Sequence, residues 1–502
     1  MRILALLLTA SVVAGCASSP TTDPHIITVG AQPPASKLLP GELTRGPYAS
    51  LLYTGLVEYA ANGTVKNAVA EKISFEGDRR YVITLKKNQR FFDGSEIKAH
   101  NFIDAWNYVV RERQENAQAF HAIDGFEEGA QSLRGLRKID DYTIQIDLKK
   151  PDRLFPQNLG LAPFMPLPDS AFRDMEEFAR APQANGRYIV EGYNRTKNLK
   201  LKANPARQQE LRNTGLHFTF FPRAEFARDA LNNGQIDVFD DIPVKLVKDL
   251  PTVEVSPAAG FIELSIRADM PHMSGEEGKL RRQALSLALD RKALSTFALK
   301  NAAVPATGFG SPSMPGYQVS KPGILSHNAQ QAQALWNQAD ATYGKFTGAF
   351  PINYSWDSDA KGWVEAAVKQ LNSTLGIEAV AAPWPDFATY RYHYHEKTMY
   401  GAYVTGWTFN TPSMSNFIAM NYSTQGWGND TGYSSAYVDD MVDKAIRSSD
   451  PGYLKLAQQR LAEDLPAIPV FVRTARTAYG DTVEPVSPVW SGYPDYAQIK
   501  KK

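Results

Sequence analysis

Apolar positions along the chain switch repeatedly between a two-residue and a 3.6-residue spacing. Tyr81-Val82-Ile83-Thr84-Leu85-Lys86 is β-rich and partly alternating, which predicts a strand. Asp93-Gly94 marks a turn. Phe102, Ala105, Trp106, Val109 and Val110 then fall on one face of a helix. Asp141 to Leu148 alternates as a half-buried strand that Pro151 ends. Two stretches read as a helix leading into a strand. In the first, Phe226, Ala230 and Leu231 share a face, Gly234 stops the helix, and Ile236-Asp237-Val238 extends. In the second, Trp363, Val364, Ala367, Val368, Leu371 and Leu375 share a face, Gly376 stops it, and Ile377 to Val380 follows. Ala332, Leu335, Trp336 and Ala339 predict a further amphipathic helix. Leu280 to Lys300 is apolar on more than one side, which predicts a buried helical region broken at Asp290, a residue able to cap the next turn. Tyr400 to Val404 is strand-like. Helix-then-strand order with short links predicts an α/β fold.

Composition narrows the class. The chain has 502 residues, enough for about three domain-sized units. Lys plus Arg is 54 against 53 for Asp plus Glu, so no basic face of the kind that neutralises phosphates is expected, and no nucleic-acid partner. Apolar residues at 43% and charged residues at 21% describe a globular chain. One Cys excludes an internal disulfide and a cysteine-based metal centre. That Cys16 ends MRILALLLTASVVAGC, where Arg2 is a positive flank and Ile3 to Val13 is too short an apolar run to span about 30 Å of hydrocarbon. Val13-Ala14-Gly15-Cys16 looks like a bacterial lipobox, which implies cleavage before Cys16 and lipidation of its thiol. Residues 16–25 then form a polar tether, and the protein is expected in the cell envelope, held to the membrane by that lipid.

Chemistry-bearing motifs are sparse. His393, His395 and Glu396 cluster without an HExxH, and on a helix the two histidines point about 200° apart, so no metal site is expected. Asp357, Asp359 and Lys361 match a calcium loop poorly, because Lys361 stands where an oxygen ligand is needed. No GxSxG, GxxxxGK[ST] or GxGxxG is present. What stands out is aromatic and glycine-rich. Gly406-Trp407-Thr408-Phe409-Asn410 follows the Tyr400 strand, and Trp427 sits between two glycines. Trp and Tyr give large contact area at low entropic cost, which suits a ligand pocket. These residues, with Trp384, are the candidate ligand-binding set. No catalytic residue, metal or cofactor is expected.

Several stretches, in order, resemble the extracytoplasmic solute-binding proteins of oligopeptide/dipeptide/nickel ABC importers. Leu280-Arg281-Arg282-Gln283-Ala284-Leu285 to Asp290-Arg291-Lys292-Ala293-Leu294 is similar to that family's R-x-A-L-x-x-A-x-D-R segment. Phe92-Asp93-Gly94-Ser95 to Phe102 resembles its W-x-D-G element, with Phe for Trp. Leu51 to Val57, Asp141-Tyr142-Thr143, Asn185 to Tyr188, Asn232 to Asp237 and Leu461 to Pro469 resemble further elements. The resemblance implies a two-lobed clamshell with an inserted third domain. Residues 26–46, 168–262 and 475–502 would form lobe I, 47–167 the inserted domain and 263–474 lobe II. Hinges would lie near Ala259–Ser265 and Phe471–Arg476. It further implies a monomer that traps a small solute, a peptide foremost, and delivers it to membrane permease and ATPase subunits.

At the ligand the pattern departs from the family. Peptide-binding relatives carry an aspartate for the peptide α-amine in a W-C-A-D-like segment. The matching segment here is Trp407-Thr408-Phe409-Asn410, and an arginine of some peptide binders is replaced by Val404. Asn410 can accept a hydrogen bond but cannot pair a charge, so a different peptide register, blocked peptides or a non-peptide solute stay open. Readings in other classes are an exported envelope hydrolase or metal-dependent enzyme, and a lipoprotein that uses the same clamshell as a chaperone or signalling receptor, presenting ligand to a partner.

Overall fold

The computed structural model describes residues 23–34, 36–43, 46–250, 252–320, 323–409 and 411–502. The run expected to be a signal peptide, Cys16 and Asn410 lie outside these residues. The chain opens on β1 (Ile26–Ala31), α1 (Tyr48–Leu52) and the hairpin β2 (Val57–Tyr59) and β3 (Val65–Asn67). A four-stranded antiparallel sheet follows, built from β4 (Ala70–Glu76), β5 (Arg80–Leu85), β6 (Leu136–Asp140) and β7 (Thr143–Asp147) in the order β4-β5-β7-β6. Its helix α2 (Ala99–Arg111) buries the predicted stripe Phe102, Ala105, Trp106, Val109 and Val110. Trp106 meets Phe120 and Phe164 there at ring distances of 6.1 and 5.3 Å. The strand expected from Asp141 starts instead at Thr143. Asp141 and Tyr142 turn between β6 and β7, with the Tyr142 N–H donating to Asp140 Oδ1.

The chain continues through α3 (Met175–Arg180), β8 (Tyr188–Asn194), β9 (Asn198–Ala203), β10 (Gly215–Phe220), α4 (Ala224–Asn232), β11 (Val238–Phe239) and the long β12 (Val253–Ile266). Next come α5 (Gly275–Ala288), α6 (Arg291–Ala293), β13 (Val304–Pro305), α7 (Ala329–Tyr343), β14 (Ala349–Ser355), α8 (Lys361–Leu375), β15 (Glu378–Trp384) and α9 (Phe387–His395). It closes with β16 (Ala402–Thr408), α10 (Met414–Tyr422), α11 (Ala436–Ser448), α12 (Pro451–Asp464) and β17 (Ala467–Tyr479). The break at Asp290 is a cap, since its carboxylate accepts the Ala293 N–H at 2.9 Å. Gly376 ends α8 in the left-handed region, φ 67°. The strand after Gly234 is confined to Val238–Phe239, and the carboxylate of Asp237 before it is held by Thr28, Thr482 and Lys501.

One large mixed sheet runs through the molecule in the order β15-β14-β16-β12-β17-β11-β1-β10-β9-β8, with β13 beside β17. β12 and β17 belong to both of its halves. Val253–Pro257 pairs with Ala478–Thr474, next to β11 and β1. Phe261–Ser265 pairs with Val472–Ala467, next to β16 and β14. Register slips fall between Pro257 and Phe261 and between Ile262 and Glu263. Two large buried clusters flank this crossing. One joins β1, β9 and β10 to the four-stranded sheet and to Val483–Ile499; the other runs from Ala259 to Phe471. The result is an α/β clamshell of two lobes linked by a pair of strands.

Candidate functional site

Strand direction places the cleft. β14 runs parallel to β15 and β16, so their carboxyl ends emerge together. β1 runs parallel to β10 and β11 and brings a second set of carboxyl ends together. β12 is antiparallel to β16, and β11 and β12 are both antiparallel to β17, so β11 shares the direction of β12. The two sets therefore point at one another across the slip between Pro257 and Phe261. Ligands of open α/β sheets bind beyond carboxyl ends of this kind. The loops that meet there are Gln32–Pro34, Phe221–Arg223 and Asp240–Asp241 from one lobe, and Trp356–Asp359, Pro385–Asp386 and Phe409 from the other.

β16 carries most of the candidate set, and its edge is half open. The Phe409 N–H donates to Ala259 O at 2.8 Å, so Phe409, Trp407 and Thr405 turn their backbone groups toward β12. Gly406 and Thr408, alternating with them, turn theirs to the opposite edge. That edge is covered by β14 only as far as the Asn353–Tyr403 pair. The Val404 carbonyl beyond it accepts the Tyr390 hydroxyl at 2.7 Å. Among the described residues no strand pairs with this edge at Gly406 or Thr408, and both residues are exposed. The strand thus continues through Gly406–Thr408, where the sequence pattern had it ending at Val404. It starts at Ala402 because Gly401, at φ 86°, bends under Pro351, whose carbonyl oxygen would lie 2.1 Å from an added Cβ.

The structure separates the candidate residues. Trp407 lies on the face covered by α10, and its indole meets Trp427 edge-on at 6.1 Å and 83°. Trp427 itself is 79% exposed. Thr408 faces the other way and accepts a hydrogen bond from Arg473 Nη1 at 2.8 Å. Phe409 does not face the cleft: it stacks on Phe261 at 6.1 Å and meets Phe417 at 4.6 Å inside the core. Trp384 ends β15, donates from Nε1 to Asn353 Oδ1 at 3.0 Å, and lies 4.4 Å from the His393 ring. It packs with Tyr390, Tyr394, Met399 and Tyr403 as an aromatic wall beside β16. Motif reading did not single out Tyr390, Arg473 or the exposed Trp356; for Trp356 its place directly after β14 was the only signal, and Tyr390 in α9 and Arg473 in β17 had none.

Buried charge lies just behind the strand. Glu263 accepts from Tyr422 at 2.6 Å, with Ser265 and Thr405 beside it, and burial pushes its carboxyl up to about 7. Burial likewise raises Asp430 to about 6. Arg476, at the strand crossing, donates to the carbonyls of Ile242 and Ala302, so one guanidinium touches both lobes. Desolvation lowers its pKa, and Asp241 and Asp359 act against that shift from opposite lobes. Among the described residues no three His, Cys, Asp or Glu side chains gather as a metal site. His393 and His395 are engaged separately, with Thr398 and Arg391. No helix among the described residues is long and apolar enough to cross a membrane.

Comparison with known proteins agrees with this geometry. The chain is 23% identical to the periplasmic oligopeptide-binding protein OppA of Escherichia coli strain K12 over 453 residues, 84% of this chain and 81% of that protein. Its fold matches the unliganded open form of the periplasmic murein tripeptide-binding protein MppA with a TM-score of 0.80 at 19% identity, covering 95% and 97% of the two chains. The periplasmic binding protein DppA from Helicobacter pylori, in complex with the peptide STSA, matches at 0.71 and 17% identity, covering 95% and 98%. Residues 64–429 match the model of the bacterial extracellular solute-binding proteins, family 5 Middle, and the chain belongs to that family.

Proposed function

We propose that this protein is the peptide-capturing component of an ABC importer. The observation that carries the reading is the open edge of β16 at Gly406 and Thr408, turned into the cleft between facing strand ends. An extended peptide can add there as a strand, with its backbone supplying affinity and its side chains standing alternately on either face. Relatives named for oligopeptide, murein tripeptide and peptide binding support the same ligand class. Gly406, Trp407, Thr408 and Trp427 form the site we assign, with Trp384 in its wall and Asn410 following in the chain. Phe409 supports them from the core.

The working lobes are 26–46 with 168–262 and 475–502, and 263–474; 47–167 is the inserted unit. β12 and β17 hinge between them, and ligand shifts the population toward closure. The lipobox-like run ending at Cys16 supports a lipid anchor, and the family supports hand-over to a permease and its ATPase. The protein acts by binding alone.

Native mass spectrometry of the purified chain, with identification of what is released on denaturation, tests the reading. A set of short peptides is the expected result. A single non-peptide solute overturns it.

A further inference from the structure

We infer that the Trp407–Trp427 corner is a side-chain subsite that selects ligands bearing a large aromatic or aliphatic residue. This rests on the peptide reading above and adds a specificity to it. Tryptophan is normally well covered, yet the Trp427 indole projects into solvent at 79% exposure. It is not on a loose tip. Asn429 Nδ2 donates to Ser423 O at 3.0 Å and Asn429 Oδ1 accepts the Tyr433 N–H at 3.1 Å. The Gly428 N–H donates to Met420 O at 3.0 Å. Both flanking glycines are forced by close approach: a Cβ on Gly426 would lie 2.3 Å from Met420 O, and one on Gly428 2.9 Å from Trp407 Cη2. The loop is therefore pinned to the end of α10 with one indole edge-on to another and a broad face uncovered.

Trp407 faces the same side of β16 as every second side chain of a strand added at Gly406 and Thr408. One such ligand side chain would enter the right angle between the indoles, covering the face of Trp427 while meeting Trp407. Aromatic rings and long aliphatic chains fit that corner.

The test uses the full chain, pentaalanine, and five single-Phe and five single-Lys variants of it, titrated by intrinsic fluorescence and calorimetry. The best Phe peptide is expected to bind about tenfold more tightly than pentaalanine. In Trp427→Ala the ratio of Phe-peptide to pentaalanine affinity should shrink to about twofold, and Trp427→Phe should restore most of it. Equal affinity for Phe and Ala peptides overturns the inference. So does a preference that survives Trp427→Ala, or a stronger preference for Lys, which would make the corner a cation site. If no peptide binds at all, the peptide reading fails, and N-acetylphenylalaninamide then decides the corner alone. Quenching that is lost in Trp427→Ala supports it, and no quenching in the native chain overturns it.

Discussion

Glu263 illustrates how one residue behind the site sets a pH response. Its folded pKa, about 7, stands above the ordinary glutamate value of 4.5 because burial disfavours the charged form more than Tyr422, Ser265 and Thr405 favour it. The folded state then holds a proton that the unfolded chain has lost. Stability is full below pH 4.5 and falls as pH climbs to about 7, by about 3 kcal/mol from this group. Asp240, Asp430 and Asp152, each raised to about 6, add in the same direction. Urea unfolding at pH 5 and pH 8 is expected to show Glu263→Gln losing a share of that fall, and an unchanged pH slope refutes the assignment. Gly428→Ala acts by packing. Its Cβ would lie 2.5 Å from Asn421 Oδ1 and against Trp407, so a loss of about 1–3 kcal/mol is expected, with altered near-ultraviolet dichroism of the indole pair. The sequence marked Trp407 and Trp427 by their glycines, but it could not show Phe409 turning inward, because strand alternation assigns faces only once the partner strand is known.

At the scale of elements, the family-like segment from Leu280 to Leu294 serves as an internal clamp. Fully buried Arg291 donates to the carbonyls of Ser286, Leu289, Leu325 and Pro469 and to the Ser286 hydroxyl, so it ties α5 and α6 to β17. Arg282 holds the carbonyls of Met273, Asp464 and Leu465, and Arg281 pairs with Glu277 and Asp340. Arg291→Met strands several buried carbonyls, and a loss of about 3 kcal/mol or more is expected in denaturant unfolding. On the reading proposed here, β16 is the element that carries ligand. Thr408→Pro removes an N–H that faces the open edge and takes no part in the ladder with β12. It should lower peptide affinity at least about tenfold with a small change in melting temperature, since proline is tolerated on strand edges. Equal peptide affinity in the variant would argue against strand addition. Some helices were legible: the stripes on α2, α7 and α8 and the breaks at Asp290 and Gly376 lie where the spacing put them, whereas α10 and α11 were not predicted and Phe226, placed on the buried face of α4, is exposed. Strand ends were not, because hairpin turns and the bend at Gly401 depend on what each strand packs against.

At the scale of the molecule, the proposed function rests on two strands, β12 and β17, that run through both halves of the large sheet. Bending at the slips of β12, with Arg476 tied to both sides, would bring the facing carboxyl ends together over a bound strand. Ligand at a hundredfold excess over its Kd should stabilise the chain by about 2.7 kcal/mol, and small-angle scattering should report a smaller radius of gyration. Stabilisation with no change in radius would place the ligand outside the cleft.

Local pattern by itself determined several helices and their stops, the α/β class and the family-like order of motifs, because those depend on neighbours within a few residues. Only the tertiary structure decided which edge of β16 is open, which tryptophan is uncovered and which carboxylates are buried. Those properties are set by residues distant in the chain: Ala259 against Phe409, Asn353 against Tyr403, and Tyr422 against Glu263. Strand pairing and burial are long-range facts, and no local spacing encodes them.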